Sequence, residues 1–497
     1  MWVLGASVSR VTEFRPSMGR WWLPGEPENQ VAGYLELVPD DQTFPWRLNL
    51  ERPLRDWDAP RDRDDRYAMT LYGETSFGLC TLRRAVPGGT HSHSSPSGRL
   101  SMEHWGAMQL IRGGQHHQAD AKYHWATFRL PHLWHWVGPT GLNGYSRRPR
   151  PKPDVDKIEE AGCAQLEDGL RLDLARMYVS SMSQTEDGKK GHAFYRLASD
   201  GGLTLGEIES IAHALALLHS LVTSERMEVF ALRFGVRGDD PWRGFEEIDA
   251  GPPAGHDWPL SGLPDPYFDT SEVEFDGFMK EWLRIFRNSP GIAAVAAPRR
   301  DRPFVTTVLV DACNAVEALA ALLWDEDRPG LQAEDRRVLE ALEGKVKGRT
   351  HKDIERYLTQ RRWSLSSKLV RLAEFIGPES SRWLVGSRLE DWAEVTARLR
   401  NSLAHGSGMN GGMSDDWDFH IAASQALTAI TRLGLLRATG YTNPLAKAPR
   451  GELLYSRGRP IVSHNNSPFF HQLEGVAERA PDWAAWRQRI DATEQQD

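Results

Sequence analysis

Arg400-Asn401-Ser402-Leu403-Ala404-His405 puts a guanidinium, an amide and an imidazole within two turns of an expected helix. An imidazole can move a proton near neutral pH, and a permanently charged guanidinium can hold a phosphate as charge builds on it. Together they are the equipment for cleaving RNA without a metal. The bare spacing is not distinctive, because Arg84/His91, Arg99/His104, Arg112/His117, Arg129/His135 and Arg459/His464 share it. Only the Arg400 copy closes a long amphipathic segment. From Leu389 onward, Trp392, Val395, Leu399 and Leu403 follow helical spacing, and Gly406-Ser407-Gly408 supplies a stop. Asn401 and His405 are four apart and share a face, with Arg400 about 140° round from His405. A helix that merely ends in polar residues would show the same letters, so the surrounding elements must decide.

Those elements fall into two halves. To about residue 265 the pattern is strand-like: Val31–Val38, Phe44–Leu50, Tyr67–Tyr72, Gly78–Leu82, Met108–Ile111, Trp125–Leu130 and Glu228–Gly235, punctuated by Pro, Gly, Asn and Asp. This predicts an antiparallel sandwich or barrel-like domain. One helix interrupts it, where Thr204 and Glu207 form a capping-box pattern ahead of Ile208, Ile211, Leu215, Leu218 and Val222. Residues 138–157 read as a basic Pro-rich loop, and Asp239–Pro266 as the boundary between halves. Helical periodicity follows in Glu272–Arg287, Phe304–Trp324, Asp335–Gln360, Ser366–Phe375, Ser380–His405 and Trp417–Leu436, an α-helical bundle with short connections. The expected fold class is α+β and multidomain: a β-rich, sandwich-like region over 1–268, a helical region over 269–440, and a docking tail over 441–497.

Composition narrows the function. A chain of 497 residues with 40% hydrophobic and 26% charged content is ordinary globular protein. Its net charge of −8 argues against coating nucleic acid by bulk electrostatics, so any RNA contact must be local. Cys80, Cys163 and Cys313 are too few and too scattered for a disulfide framework or a zinc cluster. The start, MWVLGASVSRV, lacks the basic and apolar regions of a signal peptide, and the longest apolar run, Ala318–Trp324, is short of a membrane span. A soluble cytoplasmic protein is expected, with no membrane partner.

Three further groups can carry chemistry. Residues 344–371 hold Lys345, Lys347, Arg349, Lys352, Arg356, Arg361, Arg362, Lys368 and Arg371 against only Asp353 and Glu355, a local balance of +7. That suits an RNA-backbone footprint, although a solvated helix face would look the same. In the apolar segment Phe304–Trp324, Asp311, Asn314 and Glu317 recur at three-residue steps; Glu317 or Asn314 is a candidate to orient Arg400, the alternative being an exposed helix edge. Eight of 17 histidines fall between His91 and His135, and His91 and His93 share a strand face, the basis of a rival metal-hydrolase reading. No HExxH and no telling acidic offset accompanies them, and no metal ligand or cofactor is assigned. Neither Gly88-Gly89 nor Gly113-Gly114 has the GxxxxGK[ST] context of a phosphate loop.

The helical half resembles the HEPN superfamily, bundles marked by an Arg followed after four to six residues by a His, often with Asn beside the Arg. Arg400-Asn401-xxx-His405 has that form on a late helix with another after it, and the similarity covers about 300–440. The whole layout resembles the ApeA-like HEPN group, in which a β-rich domain precedes the bundle. Val31–Val38, Tyr72-Gly73…Gly78-Leu79-Cys80-Thr81-Leu82 and Leu133-Trp134…Trp136 are similar to that group's N-terminal domain. The resemblance implies a metal-independent endoribonuclease, a homodimer in which two Arg/His sets meet, and a role in anti-phage defence by abortive infection, with tRNA the expected target. The β-rich half would then sense a phage-derived trigger. In such a site His405 acts as general base or acid at the ribose 2′-OH, Arg400 stabilises the phosphorane, and Asn401 orients the imidazole or binds a phosphate oxygen. A catalytically silent bundle that dimerises or binds RNA beside a sensing β domain remains a second reading.

Overall fold

The computed structural model describes residues 16–38, 41, 43–54, 69–95, 98–113, 115–118, 120–131, 133–137, 158–180, 189–223, 226–235, 246–249, 268, 270–298, 304–324, 333–359, 363–386, 388–405, 417–441, 455–456, 459–460 and 488. The chain divides into two compact units, Met1–Ala216 with Met227–Ser261, and Leu217–Arg226 with Gly262–Asp497.

The first unit begins with six antiparallel strands: β1 (Ser17–Trp22), β2 (Val31–Leu37), β3 (Trp46–Leu50), β4 (Met69–Thr75), β5 (Gly78–Ser95) and β6 (Gly98–Gly113). They run in the order β3-β2-β1-β4-β5-β6, and β3 pairs with β6 as well, so the sheet closes into a barrel. Closure removes both edges and gives every inward side chain a neighbour. Trp21, Leu35, Trp46, Leu48, Leu50, Leu71, Leu82 and Trp105 fill the inside. The Trp21 ring lies so close to Gly73 that a Cβ there would stand 2.4 Å from it, which explains the missing side chain.

The strands β5 and β6 run far beyond Gly78–Leu82 and Met108–Ile111. Their register slips at Pro87/Gly89, where Gly89 has φ +124°. Gly88-Gly89 is therefore a bulge that bends a continuous strand. The remaining strands are β7 (Tyr123–Arg129), β8 (Ile158–Gln165), β9 (Leu170–Ser180), β10 (Lys189–Leu203), β11 (Phe230–Gly235) and β12 (Glu246–Asp249), with a short α1 (Leu133–Trp136) after β7. They extend the sheet in the order β6-β12-β11-β7-β10-β9-β8. The expected capping box forms at α2 (Leu205–Thr223): Thr204 N donates to Glu207 Oε2 at 2.7 Å and Glu207 N to Thr204 Oγ1 at 3.2 Å.

The second unit holds α3 (Phe275–Asn288), α4 (Pro290–Ala296), α5 (Val305–Trp324), α6 (Ala333–Leu342), α7 (Gly348–Thr359), α8 (Leu365–Ile376), α9 (Pro378–Val385), α10 (Leu389–His405) and α11 (Trp417–Ala438). Two expected helices are broken. Asp335–Gln360 splits into α6 and α7 at Gly344, with φ +75°, and Ser380–His405 splits into α9 and α10 at Gly386, with φ +81°. Both glycines take a positive φ, which costs glycine little, and each lies just past the end of a helix. The core is α5, α8, α10 and α11 packed together. At Gly434 of α11 an added Cβ would meet Leu372 at 2.9 Å and Leu319 at 3.0 Å, so three helices approach closely there. Arg432, buried, donates Nη2 to Ala296 O at 3.0 Å and so satisfies a carbonyl at the end of α4.

By length and composition α2 and α5 are apolar enough to cross a membrane, a longer reach than Ala318–Trp324 alone suggests. Both contribute to protein cores, α2 through Ile208, Leu215 and Leu218 and α5 through Leu309, Val316 and Leu319. Apart from β13 (Tyr455–Ser456) paired with β14 (Arg459–Pro460) and residue 488, the docking tail expected over 441–497 lies beyond Tyr441, outside the described residues.

Candidate active site

The helix α10 positions the motif. Glu390 and Asp391 in its first turn suit the positive end of the helix dipole, and Arg388 Nε lies 2.7 Å from Asp391. Trp392, Val395 and Leu399 are fully buried, as their spacing predicts; Leu403 is half-buried. The helix continues through His405, so Asn401 and His405 stand one turn apart on a common face. The His405 side chain and the Gly406–Gly408 stop lie outside the described residues.

Arg400 is held from another helix. Its Nη2 donates to Glu317 Oε2 on α5 at 3.2 Å, across 83 residues of sequence, and its Nη1 donates to Asn401 Oδ1 at 3.2 Å. Nε is buried without a hydrogen-bond partner among the described residues. The other Glu317 oxygen, Oε1, takes Lys368 Nζ from α8 at 3.8 Å. One carboxylate thus sits between two cations, and Arg400, Glu317 and Lys368 are 26%, 32% and 17% exposed. One turn back on α5, Cys313 is buried, and burial pushes its thiol up to about 12; Glu317 adds to that shift and Arg400 opposes it. The thiol stays protonated and inert.

Of the two residues expected to orient Arg400, Glu317 touches it. Asn314 is exposed, and no contact joins it to Arg400 among the described residues, because one further turn-step round α5 carries it off that face. Lys345 and Lys347, between α6 and α7, and Arg349 and Lys352 on α7 are exposed. Arg356 lies on α7, its side chain outside the described residues, as are Arg361 and Arg362 altogether. The basic stretch is not one solvated face. Lys368 turns to Glu317, and the Arg371 guanidinium lies over Trp324 at 4.6 Å and Trp363 at 5.3 Å. The part of Lys368 beside Arg400 has no signal in the sequence beyond its charge.

The described histidines of the β-rich half bind protein groups on separate elements. His104 Nδ1 meets Asn49 Oδ1, His116 Nδ1 the Cys80 carbonyl at 3.0 Å, His117 Nδ1 the Tyr123 hydroxyl at 2.7 Å, and His124 Nδ1 the Ser199 carbonyl at 3.0 Å. The side chains of His91, His93 and His135, and all of His132, lie outside the described residues. Among the described residues one group with metal-ligand spacing occurs, Glu160, Cys163 and Asp173, and it contains no histidine. Its carboxylates are already engaged: Arg171 Nη2 reaches Glu160 and Arg171 Nε reaches Asp173, both at 2.7 Å, while Arg196 Nη2 reaches Asp173 at 2.5 Å.

In a comparison with known proteins, the family model described as ApeA N-terminal domain 1 matches residues 16–282, and that described as Apea-like HEPN matches residues 310–444. No curated protein and no solved structure matches the chain. The first match takes in the closed barrel and its extension, the second the helices that carry Glu317, Lys368 and Arg400. With both matches in chain order and more than half of the chain inside the first alone, the chain belongs to the ApeA-like HEPN family of defence proteins.

Proposed function

We propose that this protein is a metal-independent endoribonuclease that acts in the cytoplasm as a homodimer and cuts RNA, with tRNA the expected class, during phage infection. The observation that carries the reading is the Arg400 guanidinium, pinned by Glu317 at 3.2 Å five residues before His405 on the same helix. Pinning a guanidinium lowers the entropy lost when it meets a phosphate. In the proposed reaction an imidazole nitrogen of His405 takes the proton of a ribose 2′-OH. The 2′-oxygen attacks the adjacent phosphorus and the P–O5′ bond breaks. The same histidine of a second protomer, protonated, gives a proton to the departing 5′-oxygen. Arg400 offsets the charge on the equatorial oxygens. The products are a 2′,3′-cyclic phosphate and a 5′-hydroxyl.

The test is expression of the wild type and His405→Ala in bacteria under phage challenge, with the ends of total RNA sequenced. Discrete new ends bearing cyclic phosphate in the wild type alone are expected, and they name the substrate. Identical ends in both strains, or cleavage by the purified wild type that a chelator abolishes, would sink the proposal.

A further inference from the structure

The geometry points to Lys368 as a second phosphate-binding cation of this site, poised on Glu317 until RNA arrives. This rests on the RNA-directed reading above and adds to it a residue outside the Arg/His motif. Arg400 and Glu317 together carry no net charge, and such a pair attracts a phosphate weakly. Lys368, on the free oxygen of the same carboxylate, makes the trio +1. Its ammonium therefore offsets Glu317 and leaves the charge of Arg400 to the substrate.

The contact has the form of a loose hold rather than a structural bolt. At 3.8 Å Lys368 Nζ is beyond hydrogen-bond distance of Oε1, and Glu317 is about a third exposed. The helices it would join do not depend on it. Leu319 of α5 and Leu372 of α8 are fully buried and meet at Gly434 of α11, so apolar packing already fixes α5 against α8. An anion entering beside Arg400 can take the ammonium from a carboxylate that water can still solvate. The aliphatic stem of Lys368 stays packed while its charged end moves.

Binding and turnover separate this role from a structural one. The probe is a fluorescently labelled 2′-O-methyl RNA oligonucleotide, which cannot be cut, titrated by anisotropy against the full-length protein over a range of NaCl. Lys368→Met should raise Kd about ten-fold and reduce the slope of log K against log salt by about 0.7, the value of one phosphate contact on a single strand. Lys368→Arg should restore both. On cleavable RNA, Lys368→Met should raise KM with little change in kcat. Glu317→Gln should do the reverse, lowering kcat and tightening binding, because it frees Arg400 and removes a negative charge. An unchanged Kd and salt slope in Lys368→Met, at an unchanged melting temperature, overturns the inference, as does absence of salt-dependent binding by the wild type. If Lys368→Met melts early, Lys368→Gln is read in the same way. Lys368-dependent binding by a wild type that cuts no RNA would uphold the inference and remove the nuclease reading.

Discussion

The two units contain the same device built to different tolerances. In the β-rich unit Asp173 lies between Arg171 and Arg196; in the helical unit Glu317 lies between Arg400 and Lys368. In each, one carboxylate gives one oxygen to each cation. Asp173 is 1% exposed with its partners at 2.7 and 2.5 Å, whereas Glu317 is 32% exposed with its partners at 3.2 and 3.8 Å. Burial pushes the Asp173 carboxyl up, yet hydrogen bonds from Arg171 and Arg196 outweigh it and hold the group below the ordinary carboxylate range. In the first trio it is the carboxylate that is closed off, buried and fully engaged within the sheet, although its arginines are 39% and 44% exposed. An open one keeps cations half-satisfied, the state an incoming phosphate can exploit.

Breaking each trio should therefore give opposite phenotypes. The largest expected effect is Arg400→Ala, which should cut the rate of RNA cleavage by about a hundred- to a thousand-fold, roughly 3–4 kcal/mol of transition-state stabilisation. Its unfolding free energy should move by about 1 kcal/mol, because an ion pair that is half-buried and still reached by water contributes little. A collapsed melting transition with full specific activity in the surviving fraction would reverse the contrast. Asp173→Ala comes next. It should cost about 2 kcal/mol in chemical denaturation, less than a fully buried pair because both arginines can relax into water, and leave cleavage by folded protein unchanged. A loss of cleavage without loss of stability would show that the closed trio is functional after all.

A smaller effect sharpens the contrast through pH. Burial, with the repulsion of Arg83 added and the attraction of Glu209 opposing, lowers the His117 imidazole from 6.5 to about 4. Between those values the unfolded chain binds a proton that the folded chain refuses. Stability therefore falls as pH drops from about 6.5 towards 4 and is level above that window. The contribution is about 1–2 kcal/mol, read as a melting temperature that declines between pH 7 and 5 in the wild type and declines less in His117→Gln. Parallel declines in the two proteins would mean that another group titrates.

Much of the local structure was legible. The capping box at Thr204 and Glu207 forms reciprocally, and the apolar stripe Trp392, Val395 and Leu399 is the buried face of α10. Reading was weakest where a glycine had two meanings. Gly344 and Gly386 end helices that periodicity alone would carry through, whereas Gly88-Gly89 bends a strand that runs on well past its expected end at Leu82. Local pattern cannot separate these cases, because a positive φ is permitted in each and the pairing partner lies elsewhere in the chain. For the same reason, strands alternating inside and out foretold a sandwich-like domain or barrel, while closure came from β3 finding β6.

The sequence by itself determined which residues share a helix face. Asn401 and His405 share one and Arg400 lies about 140° round from His405, because helical geometry depends only on neighbours a few residues apart. Tertiary structure decided which distant groups meet them. Glu317 and Asn314 are equally polar and three residues apart on α5, and only the packing of α5 against α10 selects Glu317. Lys368 and Arg371 are equally basic and three apart on α8, yet one reaches a carboxylate and the other lies over tryptophans. A side chain's type and its place on a helix are local properties, whereas the partner it meets depends on how buried apolar faces settle against one another across the whole bundle.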